Sequence, residues 1–241
     1  MGETTMHESG TGRKAIEAMI EDEDLEGLLR SAEATHGHRC PYLALGVKAG
    51  HYAMTFLDRG RSVMEEVVAI VEGNNCFADG IQVVTGCSFG NNSLIFKDLG
   101  KNAVTVARRD DGVAVRLVVK ANFRDLLFTR YPAAGPLFEK VVLRNEGTPE
   151  DRHRFQHLWE GVARRELEEP LEEQFLIQTL TIPVPKHVGG FNEVICSRCG
   201  EGVKETKARI REGKPVCLSC AGEKYYLLTA QGIDCLCLKE F

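Results

Sequence analysis

The run His36-Gly37-His38-Arg39-Cys40-Pro41 places two imidazoles and a thiol within five positions. Sulfur and imidazole nitrogen together suit zinc, nickel or another thiophilic metal. A thiol so flanked also suits an activated nucleophile. A second set of thiols carries a more regular spacing. Cys196-Ser197-Arg198-Cys199 and Cys217-Leu218-Ser219-Cys220 form a C-x2-C pair, seventeen residues, then another C-x2-C pair. Two residues between thiols let both sulfurs of a tight turn reach one ion, and four thiolates close a tetrahedral zinc site. A site closed in this way is structural. Cys235 and Cys237 lie one residue apart near the end of the chain, with no role assigned by spacing.

The elements that must position the first set follow from pattern. Pro41 fits the first position of a helix, where its missing N–H costs nothing. Leu43, Val47, Tyr52 and Phe56 then recur at roughly helical intervals up to Leu57. Cys40 therefore stands at the positive end of a helix dipole, which favours thiolate. Glu66–Val71 is short, apolar and β-branched, the pattern of a buried strand. Asn75 is a candidate N-cap for a second helix over Cys76–Val84. That helix carries Cys76, Asp79 and Gln82 along one face. Cys87 follows it in a loop of small residues, Gly86–Gly90.

Three strands are expected next, over 93–98, 103–108 and 113–119, with Asp111-Gly112 as a hairpin signal. A helix is expected over 149–168 and a strand over 175–182. Segment 138–144 fits either strand or helix. Before the first site, residues 1–13 are polar and read as a disordered tail. Ile16–Ala34 reads as an amphipathic helix with a possible break at Asp22–Asp24. The fold class is α+β: an α-β-α-β-β-β core with helices on one face of a mixed sheet, followed by a small zinc ribbon. The expected boundaries are a tail at 1–13, the α+β domain at 14–185, the ribbon at 190–228 and a tail at 229–241. Within the ribbon, Val203–Ile210 and Lys214–Val216 are expected to pair as one small hairpin.

The net charge of −5 and pI near 5.9 give no general affinity for polyanions. Between Lys186 and Lys224, eight Lys/Arg face five Glu, a weak basis for nucleic-acid binding by the ribbon. Nine cysteines without a secretory signal argue for metal or redox chemistry and a cytoplasmic protein. No run is long enough to span a membrane. Lys97 and Lys101 flank a turn and could steer an anionic substrate or simply be solvated. His51, His153 and His157 lack partners in sequence and read as surface or core residues.

Four blocks carry a resemblance: the His36–Pro41 run with Leu45-Gly46, then Cys76-Phe77-Ala78-Asp79-Gly80-Ile81-Gln82, then Thr85–Asn92, then Lys97–Lys101. In these the chain resembles the E-type subunits of formylmethanofuran dehydrogenase and their relatives over residues 20–180, with the terminal ribbon as a known companion. Thr35 and Ser88 depart mildly from the family pattern. The resemblance implies the α-β-α-β-β-β core and a cleft where His38, Cys40, Cys76 and Cys87 gather around a metal. It also implies a homodimer with the site near its interface.

The expectation is thus a metal-binding protein with two metals, a structural zinc in the ribbon and an ion of unknown identity in the N-terminal cleft. Cys40, Asp79 and Cys87 are the candidates for chemistry, Asp79 either as support for a ligand or as a general base. Three functions remain open. One is metal-assisted or thiol redox chemistry on a one-carbon carrier, with a small-molecule substrate. Another is an accessory subunit or metal chaperone of a molybdenum or tungsten oxidoreductase. The third is a ligand sensor whose ribbon reads nucleic acid.

Overall fold

Three acidic residues, Asp22–Asp24, divide the first helical stretch. Helix α1 spans Thr11–Glu21 and α2 spans Leu25–His36. Between them Glu23 takes a left-handed backbone at φ 56°, and Asp24 caps α2 by accepting the Gly27 N–H at 2.8 Å. The computed structural model describes residues 11–58, 66–186, 190 and 192–237. The tail expected over 1–13 lies outside that range up to residue 10. Thr11–Arg13 is a correction: these residues open α1, where Arg13 pairs with Glu17 one turn on at 2.8 Å.

The chain divides into two compact units, Met1–Pro185 and Lys186–Phe241. In the first, α3 spans Pro41–Leu57, β1 Val67–Val71 and α4 Cys76–Thr85. Strands β2 (Leu94–Phe96), β3 (Ala103–Arg108) and β4 (Val113–Val119) follow. Helices α5 (Phe123–Arg130) and α6 (Ala134–Phe138) lead into a π-helical turn over Glu139–Leu143. Segment 138–144, open to either reading in sequence, is therefore helical. Helix α7 (Pro149–Glu168), the short α8 (Leu171–Gln174) and β5 (Phe175–Thr181) complete the unit. Thr148 and Asp151 form a reciprocal capping box at the start of α7, with Pro149 behind the cap.

The five strands pair in the order β2-β1-β3-β4-β5. Of these pairs only β1 and β2 run parallel, joined through α4, so the sheet is mixed as expected. Alternation assigns the faces: Val67, Ala69, Val71, Val104, Val106, Val115 and Leu117 join the helices in one core. Helix α3 runs through the middle of that core, with every residue from Leu43 to Gly50 buried. Fully burying a side chain such as Leu43 or Leu45 is worth about 1.5–3 kcal/mol. On the opposite face of the sheet, Glu72 and Arg116 make a two-armed ion pair with both contacts at 2.8 Å.

One buried residue of α3 is charged. Lys48 lies among apolar neighbours, and its Nζ donates to the carbonyls of Glu166, at 3.0 Å, and Glu169, and to Gln174 Oε1. These carbonyls belong to the last turn and end of α7, so a side chain from α3 closes that helix. Burial pushes the Lys48 ammonium down to about 8. His51, one turn on, bonds the Ile20 carbonyl through Nε2 at 3.1 Å and ties α3 to α1.

The second unit is built of hairpins. Strands β6 (Glu193–Ile195) and β7 (Gly202–Lys204) pair around the first cysteine turn. Strands β8 (Arg209–Arg211) and β9 (Lys214–Val216) lead to the second, where α9 (Leu218–Ala221) begins. The expected single hairpin is thus two, because Val203 pairs back with Val194. The tail expected from residue 229 is also corrected. Strands β10 (Lys224–Thr229) and β11 (Gly232–Cys237) form a third hairpin, and residues 238–241 lie outside the described range. Among the described residues, no helix is long and apolar enough to cross a membrane.

Candidate metal centre

Cys40 and Cys76 each stand at a helix start. Cys40 is the N-cap of α3, where its Sγ accepts the Leu43 N–H at 3.3 Å. Cys76 is the first residue of α4, behind the N-cap Asn75, whose Oδ1 accepts the Phe77 N–H at 3.1 Å. The two helix starts meet because the helices cross at glycines. A Cβ added to Gly80 would lie 2.6 Å from the Leu43 carbonyl and 2.7 Å from the Val47 nitrogen. One added to Gly46 would overlap the Phe77 carbonyl. Backbone therefore packs on backbone within two turns of both thiols.

The imidazoles arrive from the end of α2. Gly37, at φ 95°, closes that helix in the left-handed region and returns its N–H to the Glu33 carbonyl. Arg39 fixes the turn that follows through Glu33 at 2.6 Å and Glu26 at 3.1 Å. The rings of His36 and His38 are then 4.4 Å apart, centroid to centroid. One donor atom from each of His36, His38, Cys40 and Cys76 lies within 4.8 Å of all the others.

Asp79 supports this group from one turn along α4. Its Oδ2 meets His36 Nδ1 at 2.7 Å, and its Oδ1 accepts from Gln82 Nε2 at 3.1 Å. With Nδ1 engaged by the carboxylate, His36 Nε2 is buried and has no hydrogen-bond partner among the described residues. A carboxylate behind one ring nitrogen and an unsatisfied second nitrogen is the arrangement that a metal-binding histidine takes. The two sulfurs lie within 4.8 Å of one another. Their interaction holds Cys76 down at about 6, aided by His36, and together with burial it drives Cys40 far upward. Burial, with His36 adding to it, lowers His38 and so favours neutral imidazole, the form that binds metal. The donor set, two sulfurs and two imidazole nitrogens, fits a thiophilic divalent ion.

Cys87 is not brought to this group. Gly86 ends α4 at φ 74°, and Cys87 follows at the opposite end of a helix about 15 Å long. Its thiol is buried and donates to the Val67 carbonyl at 3.5 Å, and burial pushes its pKa up. The expectation of three converging thiols is corrected to two thiols and two imidazoles. His36 takes the place given to Cys87, and its link to Asp79 spans 43 residues that only the fold brings together.

In the second unit, single donor atoms of Cys196, Cys199, Cys217 and Cys220 also lie within 4.8 Å of one another. The turns are held by N–H to sulfur bonds, from Cys217 to Cys196 at 3.3 Å and from Cys220 to Cys217 at 3.4 Å. Gly200, at φ 77°, takes the turn after the first pair.

The family model described as "FmdE, Molybdenum formylmethanofuran dehydrogenase operon" matches residues 35–176. The chain belongs to the FmdE family. Its C-terminal part matches the prokaryotic dksA/traR C4-type zinc finger over residues 189–226, in agreement with the four-cysteine cluster. This FmdE protein is 43% identical over 213 residues to a probable S-adenosyl-L-methionine-binding protein of Archaeoglobus fulgidus. The match covers 87% of this chain and 56% of that relative, so the chain spans little more than half of its length. Among solved structures it is similar to a tungsten formylmethanofuran dehydrogenase FmdE-like protein from Syntrophus aciditrophicus. That likeness has 21% identity and a TM-score of 0.49, over 82% of this chain and 92% of the other.

Proposed function

We propose that the α+β domain is a metal-binding module in which His36, His38, Cys40 and Cys76 hold a thiophilic divalent ion and Asp79 orients His36. The observation that carries this reading is the buried, unpartnered Nε2 of His36 beside two thiols. The ion would supply Lewis acidity to a bound small molecule. The protein's own part is to keep Cys76 as thiolate, His38 neutral and His36 fixed in one tautomer by Asp79. Cys87 is a packed thiol in this reading, with no part in the chemistry.

The family supports a cytoplasmic place in one-carbon redox metabolism, either with catalysis in this chain or as an accessory subunit of a molybdenum or tungsten enzyme. A homodimer with the site near its interface is consistent with that family. The relative from Archaeoglobus fulgidus adds S-adenosyl-L-methionine to the ligands that merit testing. Zinc in the ribbon has a structural role. Arg209 and Arg211 both pair with Glu223, and Arg198 donates to the Cys220 carbonyl, so the three arginines of the ribbon are engaged within it and do not favour a nucleic-acid role.

Metal analysis of protein purified without chelator tests the reading. Two ions per chain are expected, with one lost in Cys40→Ser and in His36→Gln while the fold is retained. One ion per chain, unchanged by either substitution, overturns it.

A further inference from the structure

A cavity of about 300 Å³ opens between the first turn of α3, residues 101–102 and the segment from the end of β4 to the start of α5, and its charge is opposite to that of the chain. Lys101, Lys120 and Arg124 line it, against one carboxylate, Asp125, in a protein of net charge −5. Among the described residues, none of the three cations makes an ion pair. The floor is Tyr42 against Phe123, ring to edge at 5.6 Å. The first turn of α5 forms one wall, and its N-cap Asn122 makes no side-chain cap bond, so the helix start adds partial positive charge.

Two connections tie this cavity to the cluster. Tyr42, which lines the cavity, is in the first turn of α3, two residues from the N-cap Cys40. Asn102, on the cavity wall, accepts from Asn75 Nδ2 at 2.8 Å, and Asn75 is the cap immediately before Cys76. Lys101, one of the two lysines that read in sequence as either steering or solvated, is thus placed at a concave site.

We propose that this cavity is an anion subsite, binding the carboxylate or phosphate arm of a small molecule whose other end reaches the Cys/His cluster. The second half of that statement rests on the metal-site reading above; the first half stands on the cavity and its cations alone. Three unpaired cations around a concave site exert more field on an anion than they would spread over a flat surface. The cavity volume is at the small end of ligand sites, which suits one arm of a molecule.

Isothermal titration of the full chain with inorganic phosphate, and separately with succinate, provides the test. At least one probe is expected to bind, and to bind more weakly as salt is raised. In the combined variant Lys101→Gln, Lys120→Gln, Arg124→Gln, affinity is expected to fall about tenfold or more, with unfolding temperature and metal content unchanged. Arg124→Gln alone should show a smaller loss in the same direction. Tighter phosphate assigns a phosphorylated ligand, and tighter succinate a carboxylate. Absence of binding by either probe, or equal binding by the combined variant, overturns the proposal. Cys40→Ser should lose the proposed metal and keep its anion affinity, so that failure of one reading is told apart from failure of the other.

Discussion

In the ribbon, each pair of cysteines sits on one turn, and the backbone N–H groups of those turns already point at sulfur. In the α+β domain, Cys40 and Cys76 are thirty-six residues apart and meet only because two helices cross at glycine. Both groups place four donor atoms within the same 4.8 Å. In the first case local turns make the cluster, and little apolar burial surrounds it. In the second a large core makes the cluster before any ion arrives. A zinc ion in the ribbon would therefore be part of that unit's folding, whereas an ion in the other domain would be a guest of a structure already formed.

Chelation should separate the two most strongly. Structural zinc in such modules contributes on the order of 10–16 kcal/mol, so a strong chelator should erase the ribbon's amide signals in an NMR spectrum. The signals of α3 and α4 should persist. Persistence of both sets would break the contrast. Next in size is the crossing itself. Gly80→Ala forces a methyl into the α3 backbone and should cost about 3 kcal/mol in denaturant unfolding. It should also release the first metal while the ribbon keeps its own. The third effect is confined to the site. Asp79→Asn removes the carboxylate behind His36 and should weaken metal binding by about 10- to 100-fold, measured by competition with a chromophoric chelator.

The smallest effect lies away from both clusters and serves as a control for global stability. Arg116 holds the Glu72 carboxyl below its ordinary value of 4.5. A carboxyl lowered in the folded state adds stability above its unfolded value and loses it as pH falls through the folded one. Glu72→Gln should therefore cost about 1–2 kcal/mol near neutral pH, and the gap from wild type should close as the medium becomes acidic. Loss of either metal in this variant would mean that the far face of the sheet helps to shape the sites.

Legibility in the sequence followed the same division. The C-x2-C pairs could be read because everything that makes their geometry is local. Helix α3, helix α4 and strands β1, β3 and β4 were also legible, since Pro41, Asn75 and the β-branched runs are local signals. Cys87 misled because a cysteine near a helix end looks the same at either end. The helix length that separates it from Cys76 matters only once Cys40 has docked at the other end. The Asp79–His36 pair was invisible because neither residue carries a mark of the other. The last hairpin was missed because its turn, Ala230-Gln231, lacks the Asn-Gly or Asp-Gly pair that announces one. Lys48 sits in an apolar helical pattern that gives no hint of the α7 carbonyls awaiting it.

That lysine has a consequence for how the chain can be cut. The acceptors of its ammonium come from residues more than a hundred positions later. A fragment ending after β4 would bury a cation with nothing to receive its protons, and a separately made α7 would expose its final carbonyls to solvent. Residues 120–181 consequently complete the core through which α3 runs. Split at that point, the two pieces should recover native structure only when mixed.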